Sequence, residues 1–282
     1  MFVKAYAKIN VYLDVVSKRD DGYHEMKMIM LPLELHDSIQ IEFLPYLCDS
    51  YVTCDHVDLQ ETKYNLINTT INKLRDLYQF KQNFNINVHK EIPIQAGLGG
   101  GSSNAAATLK AFNNMLKLNI EPDKMNCIAK TIGADVPFCL LNKPALVEGI
   151  GEKITEIPLK HQYFVIIIKP KTGLSTKHVF EKADTMTLDH GNINNVIEAL
   201  KSGDDELLAK SMFNSLEKVS LSMLHEIQIV KDMLFKDGLK MVMMSGSGSA
   251  VYGLSTDNNF VKRLYKKYEK EGYEVYLTRT LK

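Results

Sequence analysis

The chain has 282 residues, of which 45% are hydrophobic and 24% charged, a composition that can bury a core without disulfide or metal staples and is not that of a disordered chain. Its 34 basic and 34 acidic side chains cancel, with a sequence pI near 7.1, which argues against a nucleic-acid binder that works by broad phosphate neutralisation. The length suits one large domain or two ordinary ones.

In chain order, Val3 to Val15 and Ser38 to Phe43 alternate as strands, and Lys4 and Lys8 interrupt the apolar stretch that a signal peptide needs. Ile67, Ile71, Leu74 and Leu77 or Tyr78 recur at helical spacing, with Asn65 placed to cap that helix. Phe84, Ile86 and Val88 share one face of a strand. A glycine loop follows at Gly97 to Gly101, and a helix from about Ser102 to Leu118. Another short helix ends at Gly133, before a turn at Ala134 to Pro137. The apolar strand Tyr163 to Lys169 opens a second half, and is too short to cross a bilayer. Helical patterns near 192–201, 204–218 and 221–236 come next. Lys240 to Met244 is a strand, Ser245 to Ser249 a glycine turn, and Ala250 to Leu254 another strand. A charged helix from Phe260 to Lys270 and a strand from Tyr273 to Thr280 close the chain. The irregular alternation predicts an α+β fold, with Pro158 to His161 as the domain boundary. Cys48, Cys54, Cys127 and Cys139 form no C-x-x-C pair or zinc spacing and are read as idle thiols of a cytosolic protein.

The most informative segment is Pro93-Ile94-Gln95-Ala96-Gly97-Leu98-Gly99-Gly100-Gly101-Ser102-Ser103. Its glycines let a ligand lie against bare main chain, and they run into a helix N-terminus, whose unpaired N–H groups and positive dipole attract an anion. Ser102 and Ser103 add hydroxyls, either of which can also face a metal ion. No lysine follows the glycines as a Walker A loop requires, and Ser102 occupies the last glycine of a dinucleotide fingerprint. The segment therefore predicts a phosphate site of another kind.

Phosphoryl transfer to an alcohol needs charge neutralisation and a proton acceptor. Lys8, in the apolar strand Ala7 to Val11, and Asp135, in Gly133-Ala134-Asp135-Val136-Pro137-Phe138, are candidates; the competing readings are an edge-strand lysine and a turn-capping aspartate. Asp20-Asp21-Gly22-Tyr23-His24-Glu25 presents an aromatic face beside an imidazole at a chain reversal, which suits a planar base or is an incidental hairpin turn. Met244-Ser245-Gly246-Ser247-Gly248-Ser249 is either a tight turn or a second wall of a ligand site.

Together these segments resemble the GHMP small-molecule kinase superfamily: AKIN at Ala7 to Asn10, GLGGGSSNAA at Gly97 to Ala106 and MSGSG at Met244 to Gly248. RDDGYHEM at Arg19 to Met26 and GADVPF at Gly133 to Phe138 are similar to the 4-diphosphocytidyl-2-C-methyl-D-erythritol kinase family within it. Tyr6 stands where that family usually has Pro, and Ser249-Ala250-Val251-Tyr252 where the pattern often ends in Phe; neither position is catalytic.

The resemblance implies a two-domain α+β GHMP kinase fold, residues 1–158 forming an ATP-binding domain and 159–282 a C-terminal one, with the active site in the inter-domain cleft. It implies transfer of the γ-phosphate of ATP, with Mg²⁺, to the 2-hydroxyl of 4-diphosphocytidyl-2-C-methyl-D-erythritol in non-mevalonate isoprenoid synthesis. No nucleic acid or membrane is involved, and neither metal ligands nor oligomeric state is specified. Lys8 and Asp135 correspond to the catalytic pair. Pro93, Ile94, Gln95, Ala96, Gly97, Leu98, Gly99, Gly100, Gly101, Ser102 and Ser103 correspond to the ATP loop, and Asn65 to an adenine-side contact. Asn10, Tyr23, His24, Thr176 and Phe180 correspond to the substrate side. The alternatives are a GHMP kinase for another small alcohol such as homoserine, and a catalytically silent binding relative.

Overall fold

The computed structural model describes residues 1–45, 49–56 and 66–282. The chain falls into two compact units that are interleaved in sequence. The first comprises Met1–Ala7, Leu35–Ile92 and Gly99–Asn142, and the second Lys8–Glu34, Pro93–Leu98 and Lys143–Lys282.

Two long strands, β1 (Phe2–Lys18) and β2 (His24–Leu44), each contribute to both units. In the first unit the end of β2 pairs antiparallel with β4 (Asn83–His89), which pairs in parallel with β3 (Tyr51–Cys54). Helix α1 (Leu66–Tyr78) lies between β3 and β4 in sequence and buries Ile67, Ile71 and Leu74, the periodic set that predicted it. Helix α2 (Gly100–Met115) packs on α1 through a face of alanines with Leu109 and Phe112. The Phe112 and Phe84 rings meet at 4.4 Å. Two short helices follow, α3 (Pro122–Lys130) and α4 (Val136–Leu141). The expected turn at Ala134 to Pro137 is thus the entry to α4, whose first turn accommodates Pro137 because the missing N–H has no helical acceptor there.

In the second unit the start of β2 pairs with β5 (Ala145–Gly149), and β5 with β6 (Lys153–Glu156). A second sheet contains β7 (Phe164–Lys169). Helices α5 (Thr176–Ala183), α6 (Ile193–Ser202) and α7 (Asp205–Ser211) precede a short strand, β8 (Phe213–Asn214), and then α8 (Glu217–Met223) and α9 (Glu226–Lys236). The helix expected over 204–218 is interrupted by β8, because Met212 turns extended and Phe213 and Asn214 pair in parallel with Tyr12 and Leu13 of β1. No local periodicity signals such a pairing. The chain ends in β9 (Met241–Met244), β10 (Val251–Ser255), α10 (Asn258–Lys270) and β11 (Glu274–Arg279), the second sheet having the order β11-β7-β10-β9. Ile166, Ile167 and Ile168 are fully buried in it. This continuous apolar run, rather than an alternating one, marks a strand covered on both faces.

Candidate active site

The three glycine- or lysine-bearing segments meet within the second unit. Backbone pairing brings the glycine loop against the turn between β9 and β10: Ser249 N–H donates to Gln95 O at 3.2 Å, and Ala250 N–H to Ala96 O at 3.3 Å. Gly97 has φ +73°, and a Cβ there would fall 1.9 Å from the Ser245 carbonyl oxygen, so only glycine fits. Ser245 Oγ donates to Gly97 O at 3.0 Å. Lys8 N–H donates to Leu98 O at 3.0 Å, and a Cβ on Gly246 would lie 3.3 Å from Lys8 Nζ. The Ser245–Ser249 segment is therefore both a strand-to-strand turn and a wall of the glycine loop.

That turn is pinned by Asn214 and Ser220, which carry no sequence signal, and by Thr176. Asn214, placed by β8, donates through Nδ2 to Met244 O at 3.0 Å and Gly246 O at 2.8 Å, while its Oδ1 accepts from Leu216 N–H at 3.0 Å. Ser220 Oγ donates to Ser247 O at 3.1 Å, and the Thr176 and Ser247 hydroxyls are 2.9 Å apart.

In the first unit, Gly99 is the N-cap of α2 at φ +71°, and no side chain caps this end. The helix begins at Gly100 rather than near Ser102, so Gly100 and Gly101 form its first turn and present main-chain N–H groups without Cβ atoms. Ser103 Oγ is engaged, donating to Tyr6 O at 2.5 Å. Asp37, fully buried, accepts from Glu91 N–H at 3.0 Å and Ile92 N–H at 2.9 Å. It also pairs with Lys90, whose Nζ lies 3.1 Å from where a Gly100 Cβ would be. Asp37 thereby fixes the approach to the loop, a role that an aspartate in the mixed stretch Glu34 to Gln40 does not announce.

Asp135 is half-buried, with φ −85° and ψ −8°, and its side chain does not cap α4, so the turn-capping reading fails. Its turn lies beside the start of α2: a Cβ on Gly133 would be 3.9 Å from Ser102 Oγ. Asn65 lies outside the described residues.

The remaining candidates belong to the second unit. Lys8, Asn10, Tyr12 and Asp14 alternate along β1 and so share one face. Lys8 Nζ donates to Asn10 Oδ1 at 2.8 Å, in a place where Lys8 is only 4% exposed. Buried this deeply, it is no edge-strand lysine. Asn10 is fully buried, and its Nδ2 has no hydrogen-bond partner, a costly state that a ligand acceptor would relieve. Tyr23 is 59% exposed at the β1–β2 hairpin, whose turn closes through Arg19 N–H to Tyr23 O at 2.8 Å with Gly22 at φ +84°. The half-buried His24 has its ring 4.9 Å from that of Phe180. Its Nε2 lies 2.7 Å from Asp184 Oδ1, and Lys18 Nζ donates to Asp184 Oδ2 at 2.5 Å. Hydrogen bonds from Lys18, then His24, hold the Asp184 carboxyl below the usual carboxylate range.

Residues 65–143 match the model of the GHMP kinases N terminal domain, and residues 196–274 that of the GHMP kinases C terminal domain. A 4-diphosphocytidyl-2-C-methyl-D-erythritol kinase of Clostridium botulinum (strain Alaska E43 / Type E3) is 36% identical over 282 residues, covering all of both chains. Among solved structures, a 4-(cytidine 5'-diphospho)-2C-methyl-D-erythritol kinase is 28% identical with a TM-score of 0.81, covering 99% of both chains. A homoserine kinase from Cytophaga hutchinsonii is 17% identical with a TM-score of 0.74, over 99% of this chain and 94% of the other; that likeness is one of fold.

Proposed function

On the premise that this chain belongs to the 4-diphosphocytidyl-2-C-methyl-D-erythritol kinase family of the GHMP kinases, we propose that it moves the γ-phosphoryl group of ATP to the 2-hydroxyl of 4-diphosphocytidyl-2-C-methyl-D-erythritol, in the cytoplasm, as a step of non-mevalonate isoprenoid synthesis. It is a small-molecule kinase. The observation that carries the reading is the interlocking of Lys8, the Pro93–Leu98 part of the glycine loop and the Ser245–Ser249 turn within one unit. Main chain held this closely is a rigid support for a ligand rather than a solvent loop. Among the described residues no helix is long and apolar enough to cross a membrane.

In this reading residues 1–158 hold the nucleotide. Pro93 to Ser103 cradle its phosphates, the N–H groups of Gly100, Gly101 and Ser102 donating to them with the favourable end of the α2 dipole. Asn65 contributes on the adenine side. Among the described residues no three His, Cys, Asp or Glu side chains gather as a cation site. Mg²⁺, commonly held by substrate phosphates, waters and only one or two carboxylates, would take Ser102 and Asp135 as the chain's own donors and would supply charge compensation for the nucleotide phosphates.

Asp135 orients the acceptor hydroxyl and takes its proton as the new O–P bond forms and the bond from the γ-phosphorus to the bridging oxygen breaks, releasing ADP. Lys8 balances the charge that builds up on the transferred group. Asn10 offers its unpartnered Nδ2 to the acceptor, Tyr23 and Phe180 flank the cytosine, His24 reads the edge of the base, and Thr176 completes the pocket. Asp135→Asn is expected to lower kcat at least about a hundredfold while leaving the acceptor KM nearly unchanged, as read by ADP release. Near-normal turnover would remove Asp135 from the mechanism.

A further inference from the structure

Thr176, Phe180 and Asp184 recur every four residues, so they share one face of α5 and its C-cap. That face organises His24. Phe180 lies along the imidazole at a ring separation of 4.9 Å and an interplanar angle of 35°. One turn later, the two oxygens of Asp184 divide between Lys18 and His24. The Asp184 carboxyl is held low by its hydrogen bonds from Lys18 and His24, so at neutral pH it is ionised and can only accept. An acceptor-only partner at 2.7 Å requires the His24 proton on Nε2. In the neutral ring this leaves a lone pair on Nδ1.

We infer that Asp184 is a specificity-determining positioning residue: by fixing the His24 tautomer it makes Nδ1 an acceptor for an exocyclic amine, so the site takes an aminopyrimidine such as cytosine and rejects a base with a carbonyl in that place, such as uracil. The inference rests on the proposed role of His24 at the base. A uracil carbonyl would bring its own lone pairs against Nδ1, leaving both acceptors unpaired in a half-buried site, and such mismatches discriminate strongly between substrates. Lys18, 57% exposed, holds the far oxygen, so Oδ1 stays turned to His24.

The test compares 4-diphosphocytidyl-2-C-methyl-D-erythritol with its uridyl counterpart in the full chain and in the variants Asp184→Ala, Asp184→Asn and His24→Ala. The wild-type protein should favour the cytidyl compound by at least about a hundredfold in kcat/KM. Asp184→Ala should raise the cytidyl KM about tenfold with kcat little changed, and lower the discrimination at least tenfold. Asp184→Asn, whose amide oxygen still accepts from Nε2–H, should recover most of it. The ¹⁵N spectrum of labelled histidine should show His24 in the wild-type protein with its hydrogen on Nε2, and a tautomer mixture in Asp184→Ala. Wild-type His24 with its hydrogen on Nδ1 would overturn the inference. So would unchanged discrimination in Asp184→Ala alongside its loss in His24→Ala. If His24→Ala itself leaves the discrimination intact, the base-contact reading falls first and this inference with it.

Discussion

At Gly97 and Gly22 the backbone adopts nearly the same left-handed conformation, with φ +73° and +84°, but the surroundings differ. A methyl group at Gly97 would collide with the Ser245 carbonyl oxygen at 1.9 Å, whereas at Gly22 it would meet nothing within 4 Å. Gly22→Ala should therefore cost only the local strain of about 1–2 kcal/mol, and Gly97→Ala about 3 kcal/mol or more, since main chain must move as well. Urea midpoints of the two variants measure the difference; equal losses would mean that the loop and turn do not interlock. The sequence marks both as turn glycines, and the distinction comes from a segment about 150 residues away. Lys8 and Asp135 were conspicuous because a cation in an apolar strand and a carboxylate in an apolar turn need a reason to be there, whereas Asn10 entered through the family resemblance. Asp37, Asp184 and Asn214 were not conspicuous, since their partners lie far along the chain and their spacing carries no pattern. Asn65 falls outside the described residues.

Elements with a clear apolar pattern were legible, the short β9 and β10 among them, and those without one were not. The apolar spacing of α1 and the run of β7 were enough to locate them. Helix α5 buries only Val179 and Ala183, too few to stand out among its charged neighbours, yet its other face bears on His24. The strand β8 has two residues and exists through its pairing with β1. It nevertheless places Asn214, which satisfies two carbonyls of the glycine turn. Asn214→Ala would leave those carbonyls without the amide, at a cost of about 2 kcal/mol. It should also raise the KM for ATP while leaving the far-UV circular dichroism unchanged. A variant with wild-type stability would show that the turn holds itself.

For the molecule as a whole, the neutral balance of charge conceals individual carboxyl groups that the fold stabilises as anions. Asp184 is held low by Lys18 and His24, and Asp237 is held low by Lys267 and Tyr268 against the opposing effect of burial, the largest single influence on it. A carboxyl whose folded pKa lies below its unfolded value contributes stability that is fully present above the unfolded value, about 3.9, and is lost as pH falls through the folded one. The stability difference between the wild-type protein and Asp237→Ala, whose partners Lys267 and Tyr268 do not titrate in this range, should thus be constant from about pH 7 to pH 5 and shrink below about pH 4. A difference that grows on acidification would reverse the assigned sign.

The sequence predicted an α+β fold with two parts, and the structure shows compact units that exchange segments at Ala7, Glu34, Ile92, Leu98 and Asn142. The crossings at Ala7 and Glu34 lie within β1 and β2, strands long enough to serve two cores, which local patterning does not report. The central claim is best tested by ADP release from ATP and Mg²⁺, with 4-diphosphocytidyl-2-C-methyl-D-erythritol and homoserine supplied separately and the phosphorylated product located by ³¹P NMR. Turnover with the cytidyl compound alone, with phosphate on its 2-hydroxyl, is the expected result. Turnover with homoserine alone, or none with either in protein that binds ATP, would contradict it.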